Sequence, residues 1–290
     1  MIALLSFSQA CCGLIFRLPP RLALGFIRLK AKGLFWIARL TPLRRIVSAN
    51  YRCFFPEADA DALADKLLDN VSRSIMEVLC FPFFRAEHFR LLGRLEGREN
   101  LDLALADGKG VLLLTMHTGN YEFMQVLLPQ LGYHLNAVMK APPGDRLFQF
   151  INRSRTATGC RLINVETADM YRESLARLAA NEIVGLLIDT GARESRNETI
   201  VFLGKKMPAA TGWLTLAQRS AATLMICTCR RENGRLVVKL EPPFRITAGN
   251  REAMREHVRR SFDEFVRAYP DQWALFLNKD EISGIMDENR

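Results

Sequence analysis

The sequence predicts an α/β fold, with a mainly parallel or mixed central sheet flanked by helices. Three observations carry that prediction. Short, nearly continuous apolar runs recur along the chain, as expected of strands buried on both faces. Between them lie stretches whose apolar residues repeat at spacings of three and four. Strands that alternate with helices in this way pack as layers around one sheet.

The elements follow in order. Asp59 to about Cys80 reads as a helix that stops before Pro82, with Leu63, Leu67, Leu68, Val71, Ile75 and Val78 on one face and Asp61 as its cap. Gly108-Lys109-Gly110 then punctuates the chain before Val111 to Thr115, a run that suits a central strand. Further strand-like runs are Leu135 to Met139, Arg161 to Val165, Ile183 to Ile188, Leu224 to Cys229 and Leu236 to Leu240. Helical patterns occupy 147–158, 169–180, 211–221 and 251–269. No repeat, low-complexity tract or long linker interrupts residues 57–290, so one catalytic domain is the simplest organisation of that stretch.

Residues 1–56 differ in kind. Of the 40 basic residues in the chain, nine fall before the first acidic residue, Glu57, which leaves 31 basic against 31 acidic in the remainder. The whole net charge of +9 therefore belongs to the first fifth of the protein. A nucleic-acid enzyme spreads basic surface over the fold that grips the backbone, so nucleic acid is not an expected partner. Here the charge accompanies strong apolarity, which suits a segment lying on an anionic membrane surface. Ile2 to Phe16 carries no charge, but as a helix it would reach only about 22 Å against a hydrocarbon core of about 30 Å. After Pro19-Pro20, Leu22, Leu24, Phe26, Ile27, Leu34, Phe35, Ile37 and Leu40 interleave with Arg28, Lys30, Lys32 and Arg39. The expectation is a monotopic anchor, with a short spanning helix as the alternative. A cleaved signal peptide is disfavoured, because Met1 is followed directly by Ile2-Ala3-Leu4 without a positive leader.

The seven cysteines form no CxxC and no disulfide framework, which points to a reducing compartment. His88, His117, His134 and His257 are scattered without metal-ligand spacing, so no metal is expected.

The segment richest in chemistry is Thr115-Met116-His117-Thr118-Gly119-Asn120-Tyr121-Glu122. His117 falls just past the end of a buried strand, where a βα loop exposes side chains at the sheet edge. Gly119 permits a tight turn and a close backbone approach. Glu122 falls near the start of the next helix, within reach of the imidazole. A carboxylate on one ring nitrogen fixes the tautomer while the other nitrogen takes a proton. Attack by an alcohol on a thioester requires such a base, because a hydroxyl is a poor nucleophile at neutral pH.

The run Gly110-Val-Leu-Leu-Leu-Thr-Met-His-Thr-Gly-Asn-Tyr-Glu122 resembles the active-site block, H-x-G-N-W/Y-E, of the lipid A biosynthesis acyltransferases, which transfer lauroyl and myristoyl groups to Kdo-lipid A precursors. Asn50-Tyr-Arg-Cys-Phe-Phe-Pro-Glu57 is similar to that family's N-L-x-x-x-F-P-E element, and Leu95-Glu-Gly-Arg-Glu-Asn-Leu101 to its G-x-E-N/H-L. Asp145 to Arg155 resembles a helix ending in its recurrent arginine. Gly185 to Asp189 resembles a strand ending in aspartate. Val201 to Gly204 with Pro208 to Gly212 is similar to its F-F-G…T-x-G, and Tyr269-Pro-Asp-Gln-Trp273 to its P-E-Q-W, with aspartate for glutamate. The ordered set covers about residues 45–280.

The resemblance implies an O-acyltransferase at the cytoplasmic face of the inner membrane. His117 and Glu122 are its expected catalytic residues. The donor is an acyl thioester of acyl carrier protein or coenzyme A, the acceptor a glycolipid, and no cofactor is expected. Arg155 and Asp189 are expected to face each other, Arg155 acting on phosphate or carbonyl oxygen and Asp189 positioning it, with a structural salt bridge as the alternative. Gly119, Asn120, Lys205 and Thr211 complete the expected substrate contacts, with Lys205-Lys206 in a loop and the amides after Thr211 open to an anion. Arg230-Arg231 reads as a solvated turn, and Trp213 and Trp273 as packing residues. After P-E-Q-W the family continues with a second tryptophan, a histidine and Arg-Trp-Lys; here Trp273-Ala-Leu-Phe-Leu-Asn-Lys279 follows instead. That departure leaves open an acceptor other than lipid A, such as a lysophospholipid or another envelope glycolipid. A non-catalytic lipid-binding protein is the alternative of a different class.

Overall fold

The computed structural model describes residues 13–140, 146–167, 169–189 and 198–287. Most of the apolar stretch from Ile2 to Phe16, and Asp145 of the expected arginine helix, lie outside the described residues. The chain runs through α1 (Pro20–Leu40), α2 (Leu43–Phe54), α3 (Ala60–Cys80), α4 (Ala86–Leu92), β1 (Gly93–Glu96), α5 (Arg98–Ala106), β2 (Val111–Thr115), α6 (Tyr121–Gln130) and β3 (Leu135–Met139). It continues through α7 (Arg146–Thr156), β4 (Arg161–Asn164), α8 (Met170–Ala179), β5 (Ile183–Leu187), β6 (Thr199–Phe202), β7 (Lys205–Pro208) and α9 (Gly212–Ser220). The last elements are β8 (Thr223–Glu232), β9 (Arg235–Leu240), α10 (Arg251–Ala268) and α11 (Lys279–Asp287).

Seven strands form one sheet in the order β1-β9-β8-β2-β5-β3-β4. Every neighbouring pair is parallel except β8 and β9, which form an antiparallel hairpin. The sheet is thus mixed and mostly parallel. β2 is buried on both faces, and its pleat sorts its side chains between two cores. Val111 and Leu113 pack with Phe123 and Val126 of α6, while Leu112 and Leu114 join Leu214 of α9 and Phe262 of α10. The carboxyl ends of β2, β5 and β3 point the same way, which is where an open α/β sheet leaves room for a site.

Several elements differ from expectation. β1 was not expected; it is four residues long and partly exposed. β6 and β7 form a separate antiparallel hairpin, so Lys205 and Lys206 lie in a strand and not in a loop. The cap of α3 is Asp59, which accepts from the amides of Asp61 and Ala62 at 3.1 and 3.0 Å; Asp61, already in the first turn, takes bonds from Ser48 and Arg52. β8 runs on through Arg230 and Arg231 to Glu232, so these arginines belong to the sheet and not to a solvated turn.

α1 lies against α3 and buries Ala23, Leu24, Ile27, Ala31 and Phe35. Its other face leaves Leu22, Leu29, Ile37 and Leu40 61–85% exposed among basic residues. Among the described residues, no helix is long and apolar enough to cross a membrane. α2 is tied to the C-terminal segment, where Asn50 Nδ2 donates to the Phe276 carbonyl and Tyr51 Oη to the Pro270 carbonyl, both at 2.8 Å.

Candidate active site

Thr115 of β2 pairs with Leu187 of β5, so two residues beyond each strand His117 and Asp189 come level at the sheet edge. His117 Nδ1 lies 2.8 Å from Asp189 Oδ1. The His117 backbone N–H donates to Asp189 Oδ2 at 2.9 Å, and the Trp273 indole N–H donates to the same oxygen at 2.8 Å. The Asp189 side chain is only 3% exposed. Burial alone would raise its pKa, but the charge and hydrogen bond of His117, with the bonds from Trp273 and the backbone, hold it below the usual carboxylate range. An ionised carboxylate can only accept. The proton therefore sits on His117 Nδ1, and Nε2 presents its lone pair.

The imidazole responds in turn. Burial disfavours its charged form, yet the charge and hydrogen bond of Asp189 outweigh that effect and raise its pKa above the ordinary histidine value. The side chain keeps 24% exposure, and the Tyr121 ring stands edge-on to it, 4.8 Å between centroids. Burial also raises the Tyr121 phenol far above its usual range, so it stays neutral.

The expected pairings are exchanged. Glu122 was assigned to the imidazole and Asp189 to Arg155; instead Asp189 holds His117, and Glu122 receives a two-pronged ion pair from Arg155 of α7. The cause is geometric. Strand register delivers Asp189 to His117, whereas Glu122, in the first turn of α6, meets α7. Arg155 Nε lies 2.7 Å from Glu122 Oε2, and Nη1 is 2.8 Å from Asn152 Oδ1. Glu122 and Arg155 are 8% and 11% exposed, so each charge depends on the other. Glu122→Gln is therefore expected to cost about 3–5 kcal/mol of stability in denaturant unfolding. The acid limb of the pH–rate profile should stay nearly in place, because Asp189 and not Glu122 is the main charge on His117.

The loop between them is held tightly. Gly119 has φ +54°, and a Cβ there would lie 2.4 Å from the Cys229 carbonyl oxygen, so the close approach to β8 excludes any side chain. Its N–H donates to the Gln272 carbonyl at 2.6 Å, and the Ala274 N–H donates to the His117 carbonyl at 2.8 Å. Asn120 is buried, with Nδ2 donating to Glu77 at 2.7 Å. Trp273, read from sequence as packing, thus also orients Asp189. The only signal that could have found it was the P-E-Q-W likeness.

A cavity of about 600 Å³, open solvent at its mouth included, adjoins this group. Met116, Ile188, Phe202, Trp213, Phe262 and Trp273 wall it, and Asp189 and Thr211 share the wall. Thr211 stands at the N-terminus of α9 but makes no side-chain capping bond. Lys205 opens β7, on the hairpin whose Phe202 and Met207 line the same cavity. The site therefore unites His117, Asp189, Tyr121, Glu122, Arg155 and Trp273, with an apolar chamber beside them.

The family model of the bacterial lipid A biosynthesis acyltransferases matches residues 3–279. The chain is also similar to phosphatidylinositol mannoside acyltransferases from two strains of Mycobacterium tuberculosis. Each is 24% identical over 226 residues, covering 76% of this chain and 71% of the relative. With a match over nearly its whole length, the chain belongs to the bacterial lipid A biosynthesis acyltransferase family and is an acyltransferase.

Proposed function

We propose that this acyltransferase moves a fatty acyl chain from an acyl thioester, carried on acyl carrier protein or coenzyme A, to a hydroxyl of a membrane glycolipid. The observation that supports this most is the partly exposed imidazole whose Nδ1 is locked by Asp189. Nε2 takes the proton of the acceptor hydroxyl as its oxygen attacks the thioester carbonyl. The tetrahedral oxyanion collapses, the C–S bond breaks, and the proton on Nε2 passes to the leaving thiolate. No acyl-enzyme is required. Arg155, fixed by Glu122, supplies positive charge for the oxyanion or for a phosphate of either substrate. The apolar chamber beside Asp189 takes the acyl chain, gaining about 0.8 kcal/mol per buried methylene.

The exposed apolar face of α1, among basic residues, supports a seat on an anionic membrane surface. With such donors, the seat proposed is the cytoplasmic face of the inner membrane. A lipid A precursor is the first acceptor to test. A mannosylated phosphoinositide is the second, favoured by the named activity of the mycobacterial relatives and by the altered segment after Trp273.

Mass spectrometry of the lipids of a deletion strain tests this reading. One envelope glycolipid should lose one acyl group and regain it on complementation. Complementation with Ala209→Phe, which fills the chamber, should restore a shorter chain. An unchanged glycolipid profile would remove the proposal.

A further inference from the structure

Between His117 and Glu122 stands Asn120, at the cap position just before α6, yet its side chain makes no capping bond. The amide instead reaches Glu77 of α3 at 2.7 Å. Glu77 is itself clamped by Arg231 of β8, with Nη1 and Nη2 at 2.9 and 2.8 Å from its two oxygens. Both charged side chains are 5% exposed. Gln272 grips the same strand end, accepting from the Arg231 N–H at 2.9 Å and donating to its carbonyl at 3.1 Å.

This cluster is a poor device for stability alone. A buried ion pair carries a large desolvation penalty, and well-packed apolar residues of similar volume commonly hold a fold as well or better. Among the described residues, Asn120 Oδ1 and Arg231 Nε are buried without a hydrogen-bond partner, which adds to the cost. What the pair supplies is direction. A bidentate guanidinium sets the carboxylate plane, and that carboxylate sets the Asn120 amide. Asn120 in turn joins the turn carrying His117 to the helix carrying Glu122, the two halves of the site.

We infer that Glu77 and Arg231 are positioning residues for acyl transfer, holding the His117 turn and the start of α6 in register through Asn120. The inference rests on the acyl-transfer reading given above. Misplacement of reacting groups by about 1 Å can cost about 100-fold in rate. Glu77→Met with Arg231→Met, which replaces the pair by apolar side chains, should therefore lower kcat about 10- to 100-fold at unchanged KM, with a melting temperature at or above wild type. Asn120→Ala should give the same loss, and adding it to the double variant should cost nothing more, since both act through one contact. Glu77→Gln keeps an oxygen to accept from Asn120 and should retain most of the activity.

Wild-type kcat in the folded double variant would overturn the inference, as would losses that multiply when Asn120→Ala is added. Should the double variant not fold, the single substitutions decide, and activity lower in Glu77→Gln than in Asn120→Ala would overturn it. NMR of the His117 Hδ1 proton separates this inference from the reaction itself. Asn120→Ala should shift that resonance even if no tested acceptor is acylated, and an unmoved resonance would overturn the positioning role alone.

Discussion

Replacing His117 with alanine should lower acyl transfer by about 100- to 10,000-fold, the contribution of a positioned base, while the chain stays folded. The side chain is partly exposed, and its removal takes only one of the bonds to Asp189; the His117 N–H and the Trp273 indole still donate to that carboxylate. The unfolding midpoint should therefore fall only slightly. Transfer of radiolabelled acyl groups from thioester to acceptor measures the rate. Turnover close to wild type would mean that another group takes the hydroxyl proton.

Asp189→Asn carries the second large effect, on the order of 1,000- to 10,000-fold in kcat, as expected where a carboxylate fixes a histidine tautomer. Three donors converge on Asp189, and an asparagine can offer only one oxygen to them. The imidazole then loses its reason to keep the proton on Nδ1. In the wild type the imidazole pKa is raised, so the active neutral form appears at higher pH than for an ordinary histidine, and the rate climbs with pH through the raised value. Without Asp189, burial acts with little opposition and lowers the pKa, so the acid limb of the residual rate should move to lower pH. The same linkage bears on stability. The His117 contribution is complete below the ordinary histidine pKa and is lost as pH rises through the raised one. The Asp189 contribution is present above the ordinary carboxylate pKa and is lost as pH falls through the depressed one.

The parallel core of the sheet was legible because burial on both faces forces continuous apolar runs, and Val111 to Thr115 or Ile183 to Leu187 can hardly be read otherwise. β6 and β7 were not legible. Ile200 to Leu203 is a run of only four apolar residues, and Thr199, Val201 and Lys206 are exposed, as befits a hairpin off the main sheet. Arg231 reads as a surface residue until Glu77, 154 positions earlier, is brought to it by folding. The membership of the site was largely readable: His117, Glu122, Arg155 and Asp189 all stood out. Their partners were not. Which carboxylate meets the imidazole depends on β5 lying beside β2, a strand order that no local spacing encodes. Five residues of separation made Glu122 look near to His117, yet helix geometry turns it to Arg155.

The proposed catalysis depends on a proton held at His117 Nδ1 by Asp189. Nitrogen-15 NMR of the His117 ring across the pH range measures this directly, in wild type, Glu122→Gln and Asp189→Asn. Wild type and Glu122→Gln should both show the Nδ1–H tautomer and a pKa above the ordinary histidine value, and Asp189→Asn should lower the pKa and abolish the tautomer preference. An imidazole indifferent to Asp189→Asn but shifted by Glu122→Gln would contradict it.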